Sequence, residues 1–335
     1  MVSGMNDYRG RWSRLRRRVI SVPAVFACAV LLPITLPIWL PVSAILDLAR
    51  ARWRLPVARL LGFAVIWSWV ECAGITRAFG EWVRGFSRDP ERNYELMSWW
   101  TGALMGGLRA TTGLRLEVGG SDALMQGNAV VLSRHASLGD SLVSAWVLCC
   151  MAGLQPRYVL KKELLGDPCL DIVGLRVPNC FVDRGAADSG PELEAIIALS
   201  DDLSSESVAV IFPEGTRASD AKRARALDRI AERDPARAAR MSALKHLLPP
   251  RPAGSRALVS GAPGADIVLV WHTGFDGLDS FGGILRKLAM APRPARLVAR
   301  RIPRSDVPEG PDFDVWLDEQ WLRMDTDVAD ELARV

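Results

Sequence analysis

The chain has 335 residues, 49% of them hydrophobic, and a mean hydropathy of +0.12, high for a wholly soluble protein, so part of its apolar surface is expected to meet a membrane. Its six cysteines include no CxxC pair, which argues against a disulfide framework and reads as reduced, buried small hydrophobes in a cytoplasmic setting; three histidines without HExxH argue against a metal centre. The formal net charge is only +4, but the basic residues are mostly arginine and are bunched, so local sign matters more than the total.

The run RGRWSRLRRR (residues 9–18) precedes VISVPAVFACAVLLPITLPIWLPVSAIL (19–46), which carries no charge. About 20 apolar residues cross a hydrocarbon core, so the run is long enough to span. Pro23, Pro33, Pro37 and Pro41 each remove a backbone donor and predict a kinked or re-entrant segment instead of one straight helix. A signal peptide is the rival reading, but the apolar stretch is too long and no small-residue cleavage site follows it. A second stretch, LLGFAVIWSWV (60–70), stops at Glu71 and is short for a span. Between the two lie Arg50, Arg52, Arg54 and Arg59; a hairpin that dips into one leaflet and returns keeps these and the N-terminal arginines at the cytoplasmic surface, facing anionic head groups. A two-helix transmembrane hairpin is the alternative.

Beyond residue 90 the pattern turns globular. NYELMSWWTGALMGGLRATTG (93–113) has helical spacing, LRLEVGG (114–120) and NAVVLSR (128–134) are β-type runs, and DSLVSAWVLCCMAGL (140–154) is an apolar helix. RYVLKK reads as a strand, PELEAIIALSDDLSS (191–205) as an amphipathic helix and SVAVIFPEG (207–215) as a buried strand. Strands alternating with helices predict an α/β fold with a mixed, largely parallel sheet flanked by helices. The division expected is 1–85 as basic segment and membrane-anchoring helical hairpin, and 90–335 as the α/β domain. Within the latter, the Ala/Arg-rich segment at about 218–246 reads as a solvated helical insertion, with a basic face toward lipid or an acidic substrate as the second reading.

SRHASLGDS (133–141) follows one of these strands, with Asp140 opening the next helix. Residues five apart on a regular helix sit about 140° apart, so His135 and Asp140 can meet only across a turn, with Gly139 there to relieve φ. A histidine oriented by a carboxylate is a general base whose imidazolium is stabilised as it forms. A local triad with Ser133 or Ser137 is the less favoured reading, because members so close in sequence are crowded. In VIFPEGTRAS (210–219) a buried strand delivers Glu214 and Arg217 to the carboxyl edge of the sheet, where open α/β folds hold ligands, and an arginine fork fits phosphate. His272 follows a β-type run in VLVWHTGF and has two readings, a residue lining the site and a structural histidine, of which the second is favoured; His246 has no expected catalytic part.

Together these motifs resemble the glycerophospholipid acyltransferase family. His135 and Asp140 match its His-x4-Asp block; Phe212, Pro213, Glu214, Gly215, Thr216 and Arg217 match its third block; Gly174 and Arg184 in GLRVPNCFVDR match the second, with Lys161 before it. LKHLLPPRPAG (244–254), RRIPRSDVPEG (300–310) and WLDEQWLRMD (316–325) resemble the branch that acylates lysophosphatidylglycerol, lysocardiolipin, lysophosphatidylinositol and lysophosphatidate. The resemblance implies direct acyl transfer from acyl-CoA or acyl carrier protein to a lysophospholipid hydroxyl, with no cofactor and no metal. His135 would be the base and Asp140 its orienter, while Lys161, Arg184, Glu214, Gly215, Thr216 and Arg217 would bind substrate. Expected partners are the lysophospholipid, the acyl donor and membrane lipids, with no nucleic acid, and the expected location is the cytoplasmic face of the cell membrane. The chain departs from the family where Arg134 replaces a common Asn, which bears on how a substrate phosphate is held, and where Pro249-Pro250-Arg251 replaces a Val-Pro-type fourth block.

Overall fold

In the computed structural model, which describes residues 8, 10–183, 190–291 and 293–334, the apolar N-terminal run breaks where its prolines dictate. Helix α1 (Arg11–Ile34) ends at Thr35, whose hydroxyl donates to Leu31 O at 2.6 Å, and α2 (Leu36–Leu48) starts with Pro37 in its first turn, where a missing N–H costs nothing. The second apolar stretch is longer than its sequence implied: α3 (Pro56–Val83) runs through Glu71 for 28 residues. Glu71 does not stop the helix because it is buried with partners, accepting from Trp100 Nε1 at 2.7 Å and from the Cys169 N–H at 3.0 Å.

Two compact units are present, residues 1–112 with 160–186, and residues 113–159 with 187–335. The first holds α1, α2, α3, α4 (Pro90–Thr112) and α6 (Pro168–Val173). Close α3–α4 packing requires glycine at 107, where a Cβ would lie 2.5 Å from the Ile66 side chain. Not all of the N-terminal arginines are left for lipid. Arg17 and Arg18 converge on the fully buried Asp171 at 2.6 and 2.7 Å, and Arg59 donates to the terminal carbonyls of α4 at Thr111 and Thr112. A cation at a helix C-terminus and a buried carboxylate needing countercharge are stronger calls on these side chains than a solvated head group.

Among the described residues the sheet has seven strands: β1 (Leu116–Gly119), β2 (Ala129–Ser133), β3 (Gln155–Lys161), β4 (Cys180–Val182), β5 (Ser207–Ile211), β6 (Asp266–Thr273) and β7 (Ala295–Ile302), in the order β1-β7-β6-β2-β5-β3-β4. The pairs β1/β7, β2/β5, β2/β6 and β3/β5 are parallel and β6/β7 is antiparallel, the mixed and largely parallel sheet expected. The centre of the sheet explains the unbroken apolar runs. Every residue of β2 and β5 is buried, as parallel strands covered on both faces require.

Helices α5 (Asp140–Trp146), α7 (Gly190–Ser200), α8 (Asp220–Ala231), α9 (Pro235–Met241), α10 (Pro252–Ser260), α11 (Phe281–Ala289) and α12 (Asp312–Ala333) complete the second unit. The Ala/Arg-rich insertion is the α8–α9 pair, broken at Asp234, whose side chain caps α9 by accepting from the Arg237 N–H. The buried face of α12 supplies two acids to α9 and to the segment after it. Asp318 takes both Arg237 nitrogens, at 2.7 and 2.8 Å, and Asp325 accepts the N–H groups of Lys245, His246 and Leu247 at 2.7–2.8 Å. The segments 244–254 and 316–325, singled out separately in the sequence, are therefore one structural unit.

Candidate active site

Strand β2 ends at Ser133, two residues before His135, and α5 opens at Asp140, so the intervening turn lies at the carboxyl edge of the sheet. His135 Nδ1 lies 2.9 Å from Asp140 Oδ2. Glycine does not make the turn possible, for Gly139 has φ −90° and ψ −5°, open to any residue. The carboxylate does it, because Oδ2 also accepts the N–H groups of Ala136 at 2.6 Å and Ser137 at 2.8 Å, and Oδ1 accepts the Ser137 hydroxyl. These bonds dispose of the local triad: Ser137 gives its proton to Asp140, and Ser133 donates to Arg134 O at 3.3 Å.

Burial alone would raise the Asp140 carboxyl, but the His272 ring beside it and the hydrogen bond with His135 outweigh it and hold the group well below the usual range. An ionised carboxylate only accepts, so Nδ1 of His135 carries the hydrogen, which in the neutral ring leaves the lone pair on Nε2. Asp140 thus fixes the tautomer a base requires.

The turn after β5 locks onto this one. Glu214, 2% exposed, accepts the His135 N–H at 2.8 Å on Oε1 and the Leu248 N–H at 3.0 Å on Oε2, while the Ala218 N–H donates to His135 O at 2.8 Å. Burial pushes the Glu214 carboxyl up to about 8, against the two N–H groups that favour its anion, so near neutral pH it is a neutral strut. Gly215 has φ +70°, and a Cβ there would meet the Arg251 side chain at 3.2 Å. The Arg251 N–H donates to Pro213 O at 2.8 Å, so the Pro-Pro-Arg segment is stitched to this turn. Thr216 borders an adjoining cavity, and Arg217 is half-buried with Nη1 unbonded among the described residues. Lys161 ends β3 with an exposed side chain, Gly174 follows α6, and Arg184 lies outside the described residues.

Two residues stand apart from the favoured sequence reading. His272 is buried with Nε2 3.2 Å from Asp140 Oδ1, so two imidazoles flank one carboxylate. The signal was present but needed the topology. Val131-Leu132-Ser133-Arg134-His135 and Val268-Leu269-Val270-Trp271-His272 share a Val-Leu-x-x-His pattern, and β2 pairs with β6 in parallel with Ser133 opposite Val270. Both histidines therefore sit two residues beyond the same register point. Arg134 does not hold a substrate phosphate: its side chain is 2% exposed, binds Asp276 Oδ1 at 2.6 Å and donates to His272 O. It fastens the end of β6 to the end of β2.

A model of the acyltransferase family matches residues 115–252, a span that begins before β1 and ends as α10 begins. The stretch from 115 to 252 is thus similar in sequence to acyltransferases. The match bears out the resemblance read from the two motifs, and an acyltransferase is an enzyme that moves an acyl group to an acceptor. The acyltransferase fold is also that of the 1-acyl-sn-glycerophosphate (LPA) acyltransferase PlsC from Thermotoga maritima, a solved structure that superposes with a TM-score of 0.50 at 16% identity, over 75% of this chain and 88% of that one. No curated relative matches in sequence.

Proposed function

We propose that the chain is a membrane-associated O-acyltransferase that moves a fatty acyl group from acyl-CoA or acyl carrier protein to the free hydroxyl of a lysophospholipid, lysophosphatidate first among them. The observation that carries this reading is the His135–Asp140 contact at 2.9 Å, joined through the His135 backbone to the Pro-Glu-Gly-Thr-Arg turn. His135 Nε2 takes the acceptor's proton as the oxygen attacks the thioester carbonyl; Asp140 holds the tautomer and balances the imidazolium. The proton then leaves with the thiolate. A positioned base supplies about 10²- to 10⁴-fold, and orientation of the two substrates supplies more. Arg217 offers a fork to the acceptor phosphate, and Glu214, Gly215 and Thr216 shape the turn that presents it. Lys161 and Arg184 are assigned to substrate by the family resemblance alone.

Residues 1–85 are the proposed anchor. Helices α1 and α3 are long and apolar enough to cross a bilayer, and only 11% of the apolar window of α1 is buried inside the structure. Side chains such as Val19, Ile20, Leu31, Ile34 and Ile38 are exposed. Retention on the cytoplasmic face lets a lipid acceptor enter from the leaflet. The test is transfer of radiolabelled oleate from oleoyl-CoA, or from acyl carrier protein, to a panel of lyso-lipids by membranes containing the protein. Acylation of lysophosphatidate supports the reading; acylation of an amine lipid or glycolipid alone changes the acceptor, and no transfer from either donor refutes it.

A further inference from the structure

The insertion of α8 and α9 is the part of the second unit that the reaction above leaves unused. No residue of α8 is buried, so the core does not account for its sequence. With about 100° between successive residues, Lys222, Arg225 and Arg229 fall within about 60° of arc and form one cationic stripe along the helix, with Arg233 just past its end. That stripe lines a cavity of about 1180 Å³ together with Arg251, Glu214, Thr216 and Leu248. Glu214 is the residue that also holds the His135 N–H, so the cavity adjoins the turn that carries the base.

We propose that this cleft binds the phosphorylated nucleotide end of an acyl-CoA donor, a proposal that rests on the acyl-transfer reading above. The cations of the cleft divide into two kinds. Arg237 is committed to structure, paired with Asp318 and donating to Pro250 O at 2.8 Å. Arg251 has no carboxylate within ion-pair distance among the described residues, and burial followed by the like charge of Arg229 makes its protonated form less favourable than usual. Two guanidinium groups that repel across a cleft are stabilised by a polyanion between them, and planar forks match phosphate oxygens. Asp228 and Glu232 also line the cleft but flank the stripe on one side, and Asp234 is occupied in capping α9. Size favours the donor as well. Pockets for drug-sized ligands run about 300–1,000 Å³, and this cleft has room for a bisphosphorylated adenosine with its pyrophosphate. Its concavity favours a nucleotide over the convex surface of a carrier protein.

The test uses the full chain in detergent micelles and its Arg229→Ala/Arg233→Ala and Arg251→Gln variants. Calorimetry measures binding of free CoA, adenosine 3′,5′-bisphosphate and glycerol 3-phosphate, none of which requires turnover. Expected results are CoA and adenosine bisphosphate binding to the wild type with glycerol 3-phosphate much weaker, and a Kd for CoA at least ten-fold higher in each variant. In turnover, the KM for oleoyl-CoA rises ten-fold or more while that for the lyso-lipid stays within two-fold. A rise confined to the lyso-lipid KM gives the cleft to the acceptor, a loss confined to acyl carrier protein as donor makes it a protein-docking face, and unchanged CoA binding in both variants removes the site; each overturns the proposal. If CoA binds as expected but no lyso-lipid is acylated, the acyl-transfer reading fails while the cleft stands.

Discussion

Replacing Asp140 by Asn separates the charge of this carboxylate from its hydrogen bonds. Oδ2 accepts from three N–H groups, those of His135 Nδ1, Ala136 and Ser137, so the amide oxygen takes that position and its NH2 faces Ser137 Oγ and His272. The turn and the histidine tautomer survive, and what disappears is the negative charge beside the imidazolium that forms as the acceptor is deprotonated. At about 4 Å between charge centres and an effective dielectric of about 20, that attraction is about 4 kcal/mol, or roughly 10³-fold in rate. The expected result is a kcat about 10³-fold lower with acceptor and donor KM within three-fold, and unfolding stability lowered by only about 1–2 kcal/mol. Single-turnover acyl transfer and chemical denaturation of the same preparations read the two effects. Asp140→Ala, which strands Ala136 and Ser137 donors in a buried turn, is expected to cost more stability than Asp140→Asn. An Asn variant within ten-fold of wild-type kcat would show that the charge of Asp140 does not stabilise the imidazolium in the rate-limiting step.

Glu214 titrates at about 8 in the folded chain against an ordinary 4.5, so the unfolded chain loses its proton first and stability falls as pH rises from about 4.5 to about 8. The ceiling is on the order of 5 kcal/mol. Glu214→Gln sets an NH2 against one of two backbone donors and is destabilising at pH 5, and the difference from wild type narrows toward pH 8; parallel stability curves would contradict the assignment. His272→Phe removes a donor facing Asp140 and is expected to lower kcat at least ten-fold with acceptor KM nearly unchanged, with His272→Asn retaining more activity; equal activity in all three would make His272 a packing residue only. Arg217→Lys replaces a fork with a point charge and is expected to raise acceptor KM more than donor KM, and the reverse ranking would place Arg217 at the donor.

Local chemistry was legible in the sequence wherever a run had one dominant call on it. The apolar β2 and β5 runs, the Asp140 helix start and the Pro-Glu-Gly-Thr-Arg turn are all read from neighbours in sequence. The losses came where a residue's partner is distant. Glu71 looks like the end of an apolar helix because Trp100 and Cys169, which bury it, lie 29 and 98 positions away. His272 looks structural until β6 is known to lie beside β2, and Arg17 and Arg18 look lipid-facing until Asp171 is placed against them. Arg134 sits one residue from the base, yet its direction is set by Asp276, 142 residues on. Gly139 misled in the opposite sense, since glycine suggested strain in a turn that Asp140 closes without it.

Whether His135 is the base for acyl transfer is read most directly in the single-turnover rate of wild type and His135→Ala with radiolabelled oleoyl-CoA and the lyso-lipid that the wild type acylates. Loss of at least 10³-fold in the variant, with its melting temperature and membrane association unchanged, is the predicted result; transfer at the wild-type rate would contradict it.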